Sequence, residues 1–253
     1  MRVPVIINRK YYMKKINWFF TWLGLSLLKK SMAVKLKHEN AFWMQTIPRG
    51  MVFNRNDFTV RLCTHKNVLH LGFADYPFTE GKIKNNQLLH LHLKAVTDKL
   101  YGIDIEERAV TMYKQLTGDE SVSAMDINDI PDNIFKQFEV IVAGEILEHL
   151  SNPLSLISKL ESKMKKGQTL LITVPNYLAL DNIAATLHSK ESVHPDHYWY
   201  FSPYTILKLF DNSIWEMVSL DFGMYYMPGK QPNALLKQFT HLGDCIIIVF
   251  KIK

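Results

Sequence analysis

The segment at residues 67–72 reads NVLHLG, an apolar run that ends on a glycine. Four similar runs follow it: LYGIDI at 100–105, SVSAM at 121–125, FEVIVAG at 138–144 and QTLLITV at 168–174. Short apolar runs that alternate with segments of helical character are typical of a parallel sheet covered on both faces. We therefore predict an α/β fold from residue 67 onward.

Two later apolar runs extend the predicted sheet to seven strands. The predicted strands lie at 67–72, 100–105, 121–125, 138–143, 168–174, 215–222 and 244–252. The predicted helices lie at 86–99, 106–116, 153–165 and 203–210. Residues 76–87 are an insertion between the first strand and the first helix. Asn152-Pro153 favours a helix start, and Gly167 after two lysines favours a stop.

The composition of the 253-residue chain is that of a globular protein, with 47% hydrophobic and 21% charged residues. It can hold one α/β domain with an extension. The only two cysteines, Cys63 and Cys245, argue against a disulfide scaffold and fit a reducing compartment. We expect a cytoplasmic protein.

The net charge of +6 is unevenly distributed along the chain. Residues 1–66 hold 13 Lys and Arg against two acidic residues, whereas residues 67–253 hold 17 basic and 22 acidic residues. Such asymmetry predicts a basic N-terminal extension, 1–66, and a separate α/β domain, 67–253. The mildly acidic charge of this domain argues against nucleic acid as a partner, since phosphate binding needs basic residues.

The basic extension contains an uncharged aromatic segment, INWFFTWLGLSLL at 16–28. Lysines and arginines flank it between residues 9 and 37. At 13 residues it is too short to span a bilayer, which takes about 20. Three interpretations stay open: a helix lying in an anionic membrane surface, a helix packed on the domain or a partner subunit, and a signal segment.

Acidic residues follow the predicted strands at their carboxyl ends. Asp104 ends the second strand, Asp126 follows the third, and the fourth runs into Glu145, Glu148 and His149. In an open parallel sheet the ligand lies outside this edge, near the point where the strand order reverses. The series therefore predicts a ligand site along one edge of the sheet.

Four motifs, at 67–72, 101–105, 124–126 and 138–150, occur in this order. Together they resemble the class I S-adenosylmethionine-dependent methyltransferases, in particular small-molecule enzymes similar to the ubiquinone and menaquinone methyltransferases. The resemblance implies a Rossmann-like fold and S-adenosylmethionine as cofactor. It places Gly72, Phe73 and Ala74 in the loop that approaches the cofactor's methionine end. The chain departs from the family pattern here, because His70 replaces an acid and only Gly72 of the usual glycines remains.

The resemblance assigns Asp104, with Ile105 beside it, to the ribose hydroxyls of the cofactor. The alternative for Asp104 is an acid that favours the dipole of the following helix. By the same resemblance Asp126 accepts a hydrogen bond from the adenine amine, with Met125 against the ring. The alternative for Asp126 is an ordinary turn aspartate.

The sequence EILEHL at 145–150 resembles the motif that the family has at the edge of the cofactor pocket. The resemblance places Glu145 there. On a helix Glu145 and His149 share one face, and His149 can relay a proton near neutral pH.

A second motif, HPDHYWYFSPY at 194–204, follows the fifth predicted strand, where the family inserts its substrate loop. The resemblance makes His197 a candidate general base and has Ser202 and Pro203 start the next helix. His194 and His197 have a spacing compatible with a metal, but no carboxylate-rich or cysteine-rich set accompanies them, so no metal is predicted. A purely structural loop stays an alternative.

The resemblance implies an enzyme that methylates a hydroxyl or amine of a small molecule. The basic extension suggests a lipid, quinone or lipid-linked sugar as acceptor. Two alternatives remain: a protein of this fold with weakened catalysis that binds the cofactor or serves as a scaffold, and a methyltransferase of RNA or protein.

Overall fold

The computed structural model describes residues 47–225 and 234–253 of the chain. Its main compact unit comprises residues 48–180 and 192–253, and residues 181–191 belong to a second unit. The strands are β1 (Val52–Asn54), β2 (Asn67–Leu71), β3 (Lys99–Asp104), β4 (Val122–Ala124), β5 (Val140–Gly144), β6 (Thr169–Pro175), β7 (Trp215–Met224) and β8 (Cys245–Ile252).

The helices of the described residues are mostly short. They are α1 (Arg55–Cys63), α2 (Thr79–Lys84), α3 (Leu89–Lys94), α4 (Glu107–Thr117), α5 (Asp132–Phe135), α6 (Pro153–Lys163), α7 (Leu180–Thr186), α8 (Pro203–Leu207) and α9 (Ala234–Gln238). Single 3-10 turns lie at Ile127–Asp129, Leu147–His149 and Thr240–Leu242.

The strands form one sheet in the order β1-β7-β8-β6-β5-β2-β3-β4. Strand β8 runs antiparallel to β6 and β7, and the other neighbouring strands are parallel. The carboxyl ends of β2 to β6 therefore meet at one edge. This confirms the predicted fold class, although the described residues contain eight strands where seven were predicted.

The additional strand is β1, in a segment where the sequence indicated no element. Val52–Asn54 pairs in parallel with the end of β7, at Phe222, Gly223 and Met224. The side chain of Asn54 then caps helix α1 by accepting a hydrogen bond from the Asp57 N–H at 3.1 Å. Within the predicted extension, residues 52–54 therefore form a strand of the sheet, and the helix that follows packs against the sheet through Cys63.

Each predicted helix overlaps an observed one, and three of the four observed helices are shorter than predicted. Within the range 86–99 only Leu89–Lys94 is helical, and a separate helix, Thr79–Lys84, occupies the predicted insertion. Helix α8 begins as expected, because Ser202 forms a capping box with Thr205 and Pro203 occupies the first turn.

The sheet is buried on both faces at its centre. Val140, Ile141 and Val142 of β5 alternate in direction, yet each is at most 3% exposed. On one face the apolar side chains pack against Cys63 of α1 and Leu93 of α3. Two-sided burial explains why these strands read as continuous apolar runs.

Strand β7 lies between β8 and the short strand β1. Its pairing with β8 shifts register between Met217 and Ser219, which is a β-bulge. The extra residue, Val218, is 52% exposed. The bulge bends β7 in the part that lies beyond its pairing with β1.

No helix within residues 47–225 and 234–253 combines the length and apolarity that crossing a bilayer requires. The aromatic segment 16–28 and the basic residues 9–37 lie outside the described residues.

Two histidines, His70 of β2 and His90 of α3, are buried next to each other in the core. The Nδ1 atoms of His70 and His90 lie 3.1 Å apart, so one ring donates to the other and both are neutral. Burial lowers the pKa of His70 to about 3, with a smaller contribution from Arg55. Burial and then His70 lower the pKa of His90 well below its usual value. His70 is therefore a core residue here.

These histidines predict a loss of stability in mild acid. Unfolded histidine has a pKa of about 6.5, so below that pH the unfolded chain binds protons that the folded chain excludes. For His70 the loss grows as the pH falls from about 6.5 towards 3, and at pH 5 amounts to about 2 kcal/mol. Urea unfolding at pH 7.5 and pH 5.0 measures it.

The matched control is a His70→Gln, His90→Gln double variant, which should flatten the pH dependence of the unfolding free energy. A wild-type free energy of unfolding that is equal at both pH values contradicts the prediction.

Candidate functional site

The first loop of the candidate site begins at Gly72, directly after β2. Gly72 has a φ of 63°, and its N–H donates to the carbonyl of Ile103 at 2.8 Å. A Cβ here would also lie 2.9 Å from a side-chain carbon of Ile146. The tight turn therefore requires glycine, both for its left-handed backbone and for the close approach of Ile146.

Phe73 and Ala74 are buried in this loop. The ring of Phe73 packs on His90 at 4.6 Å and on Tyr113 at 5.2 Å, so its side chain belongs to the core. The N–H of Ala74 donates to Oδ2 of Asp104 at 2.9 Å. The loop is thus fastened to the carboxylate that ends β3.

The Asp104 carboxylate accepts hydrogen bonds from two backbone N–H groups. Ala74 donates to Oδ2 at 2.9 Å, and Glu106 donates to Oδ1 at 3.0 Å. A carboxylate has about four lone-pair positions, so two stay available for a diol. Ile105 beside it is 73% exposed, although it is apolar. A free pair of acceptor positions next to an exposed apolar side chain fits a ribose with its purine.

Met125 and Asp126 lie next to Asp104 at the end of the neighbouring strand. The N–H of Met125 donates to the carbonyl of Asp104 at 2.8 Å, and Asp104 pairs with Ala124 in the sheet. Both side chains are half-buried. The structure therefore brings the predicted ribose and adenine residues together.

Glu145 departs from the geometry that the sequence predicted. Its φ is 56°, so it lies in a left-handed turn, and only Leu147–His149 forms a 3-10 turn after it. The prediction that Glu145 and His149 share a helical face is therefore wrong. The carboxylate of Glu145 accepts a hydrogen bond from the Tyr225 hydroxyl at 2.6 Å.

Arg55 is a site residue that the sequence analysis missed. Its guanidinium lies 3.6 Å from Glu145 and 5.2 Å from the centre of the Tyr225 ring. Burial opposes the charge, but the Glu145 carboxylate holds the pKa of Arg55 above its usual value. Nothing in the residue pattern singles out Arg55, since it is one of many basic residues in the N-terminal part.

Glu148 is fully buried, and neither carboxylate oxygen has a hydrogen-bond partner. Burial raises the pKa of Glu148 to about 9, with a further contribution from Glu145. At neutral pH the group is therefore protonated and can donate a hydrogen bond. The Thr173 hydroxyl of the adjacent strand β6 is also buried and unpartnered.

Three histidines meet next to this buried acid. The ring centres of His149 and His197 are 4.5 Å apart, those of His194 and His197 are 5.0 Å apart, and those of His149 and His194 are 5.7 Å apart. Two hydrogen bonds hold the loop there: Tyr198 N–H to the Glu148 carbonyl, and the Trp199 indole N–H to the Leu150 carbonyl, both 2.8 Å.

The pKa values of two of these histidines are lowered. Burial, followed by the neighbouring His149 and His194, lowers the pKa of His197 to about 4. Burial, followed by His194, lowers the pKa of His149. His197 is therefore neutral at physiological pH and has a lone pair available for a proton or another electrophile.

Solved structures with a similar fold share little sequence with this chain. TehB from Haemophilus influenzae has 15% identity and a TM-score of 0.50, covering 78% of this chain and 61% of its own. The small RNA methyltransferase HEN1 has 13% identity and a TM-score of 0.53, covering 83% and 27%. A chain from the complex of the Haloferax volcanii methyltransferase activator Trm112 with its methyltransferase has 12% identity and a TM-score of 0.50, covering 77% and 87%.

These likenesses show the fold alone, and no match to a curated protein reaches significance. A family model described as a methyltransferase domain, however, matches residues 82–220, which is more than half of the chain. The matched range includes Asp104, Asp126, Glu145 and the histidine cluster. The chain therefore belongs to the methyltransferase-domain family and is a class I S-adenosylmethionine-dependent methyltransferase.

Proposed function

We propose that this enzyme methylates a hydroxyl or amine of a small molecule and that His197 accepts the proton of the acceptor. The observation that carries the proposal is His197 itself: a neutral, half-buried imidazole on a loop fastened to the segment after β5. Methyl transfer to a hydroxyl needs such a base, since the oxygen must lose its proton.

The cofactor side of the proposal uses the residues along the carboxyl edge. Asp104 accepts from the ribose hydroxyls, and Ile105, Met125 and Asp126 contact the adenine. The Gly72–Phe73–Ala74 turn offers its backbone to the methionine end, while Glu145 borders the pocket. When bound, S-adenosylmethionine supplies an activated methyl group, so the protein mainly has to align the reactants.

The acceptor side is bordered by aromatic side chains. Tyr177, Tyr198, Trp199 and Tyr200 are 36–69% exposed, and the rings of Tyr177 and Tyr200 lie 5.8 Å apart. Exposed aromatic groups next to the base favour an apolar or aromatic acceptor. A quinol, a lipid or a lipid-linked sugar has the required combination of hydroxyl group and apolar body.

Two measurements test this proposal. Calorimetry should detect S-adenosylmethionine binding at micromolar concentration. Incubation with a panel of quinols, catechols, phenolic lipids and lipid-linked sugars should release S-adenosylhomocysteine for at least one of them. Cofactor binding without turnover on any hydroxyl or amine of small molecules would favour the scaffold alternative, and turnover on RNA or protein would overturn the acceptor class.

We also propose that the basic residues 9–37 place the enzyme at an anionic membrane surface from the cytoplasmic side. Deleting residues 1–37 should release the protein from anionic liposomes and leave cofactor affinity unchanged. Each lysine near such a surface contributes about 1 kcal/mol, and the aromatic segment adds apolar burial. Co-sedimentation across a salt series checks this, because salt screens only the lysine contribution.

Neutral liposomes are the control for the charge contribution. A full-length chain that stays in the supernatant with anionic liposomes at low salt would contradict the membrane assignment.

A further inference from the structure

The histidine cluster offers nitrogen ligands from two parts of the chain. His149 ends the 3-10 turn after β5, whereas His194 and His197 lie in the loop before α8. A ligand nitrogen from each ring lies within 4.8 Å of those of the other two. Three imidazole nitrogens without a carboxylate form a donor set that suits a metal ion of borderline softness.

We propose that His149, His194 and His197 together bind one divalent transition-metal ion of the zinc type. Zinc holds imidazole nitrogens at about 2.0–2.1 Å in tetrahedral geometry, which puts them about 3.4 Å apart. The nitrogens of the cluster, which lie within 4.8 Å of one another, therefore have to approach by up to about 1.4 Å on binding. His149 and His194 are exposed, so rotation of their rings achieves this and the ion has an entry path.

The surroundings support the assignment to this class of metal. Magnesium and calcium prefer oxygen ligands, so three imidazoles select against them. The N–H of Asp196 donates to Nδ1 of His194 at 3.3 Å, so the loop backbone orients this ring. The loop is held in place by the hydrogen bonds of Tyr198 and Trp199, independently of any ion.

Three protein ligands leave the fourth tetrahedral position open, as in catalytic zinc sites. The catalytic role, unlike the binding itself, rests on the proposed function. An acceptor hydroxyl bound there loses its proton to solvent more easily, because the ion stabilises the oxygen anion. The oxygen then forms the bond to the methyl carbon as the sulfur–carbon bond breaks, and that electron pair stays on sulfur. In the metal-bound form His197 is a ligand and the ion activates the acceptor, whereas in the metal-free form His197 is the base.

The test uses the full, untagged chain after treatment with a chelator. Titration with Zn²⁺ against a chromogenic chelator should give one tight site per chain, and Co²⁺ should give the visible absorption of a tetrahedral nitrogen site. His149→Ala, His194→Ala and His197→Ala should each weaken binding at least about 10-fold, since even an outer-shell partner is worth 10–100-fold. Circular dichroism checks that each variant is folded.

His65→Ala is the matched control, because His65 is exposed and lies beside Asp98, at 3.6 Å, away from the cluster. It should bind Zn²⁺ like the wild type. Absence of a tight site, or equal affinity in the three cluster variants and the wild type, overturns the proposal. A parallel titration with S-adenosylmethionine keeps the two proposals apart: cofactor binding without zinc binding refutes only the metal site, and zinc binding without cofactor binding refutes only the proposed function.

Discussion

Replacing His197 by alanine is expected to lower the turnover number about 10²–10⁴-fold, the usual contribution of a positioned acid or base. The affinity for S-adenosylmethionine should stay unchanged, because His197 lies against His149 and His194 and is not one of the residues assigned to the cofactor. Release of S-adenosylhomocysteine with saturating acceptor measures the first effect, and calorimetry measures the second.

The pH profile adds a second readout for the same variant. The pKa of His197 is about 4, so the free base persists in neutral and mildly acidic solution and is lost only as the pH falls towards 4. Protonation of His197 should therefore not lower the wild-type turnover number near pH 6.5, and its effect should appear only closer to pH 4. If His197→Ala turns over normally while His149→Ala does not, His149 is the base and the 194–204 loop is structural.

Asp104→Ala is expected to abolish measurable cofactor binding while the protein stays folded. The variant removes the acceptors of two ribose hydroxyls, and each lost hydrogen bond to a buried polar group costs about 1–3 kcal/mol. It also frees the N–H groups of Ala74 and Glu106, so the first loop loses its fastening. Calorimetric titration with S-adenosylmethionine measures the loss.

Asp104→Asn is the matched variant, because an amide keeps one acceptor oxygen and the shape of the side chain. Its affinity should lie between those of the wild type and Asp104→Ala. Wild-type affinity in Asp104→Ala would remove Asp104 from the cofactor site and with it the basis for placing the ribose there.

Much of the sheet was predictable because its strands are buried on both faces and read as apolar runs. The edge strand β1 was not, since Val52–Asn54 is only three residues long and is defined by its partner at Phe222 to Met224, about 170 residues later. Arg55 was missed for the same reason, because its approach to Glu145 depends on that pairing.

The candidate site was predictable where it follows strand ends. Asp104 and Asp126 come together because β3 and β4 are adjacent and parallel. The histidine cluster was only half predictable: the spacing of His194 and His197 is visible in the sequence, but the third ring, His149, joins them only through the loop's hydrogen bonds to residues 148 and 150. The left-handed turn at Glu145 had no signal, since non-glycine residues adopt it uncommonly.

The bulge in β7 has a consequence for the behaviour of the protein at high concentration. Beyond its short pairing with β1, the outer side of β7 has no neighbouring strand within residues 47–225 and 234–253. A straight edge of this length would be a template for edge-to-edge aggregation. The bulge at Met217 to Ser219 interrupts the row of donors and acceptors, and the charged Glu216 and Asp221 flank it. This part of β7 therefore disfavours the addition of another chain.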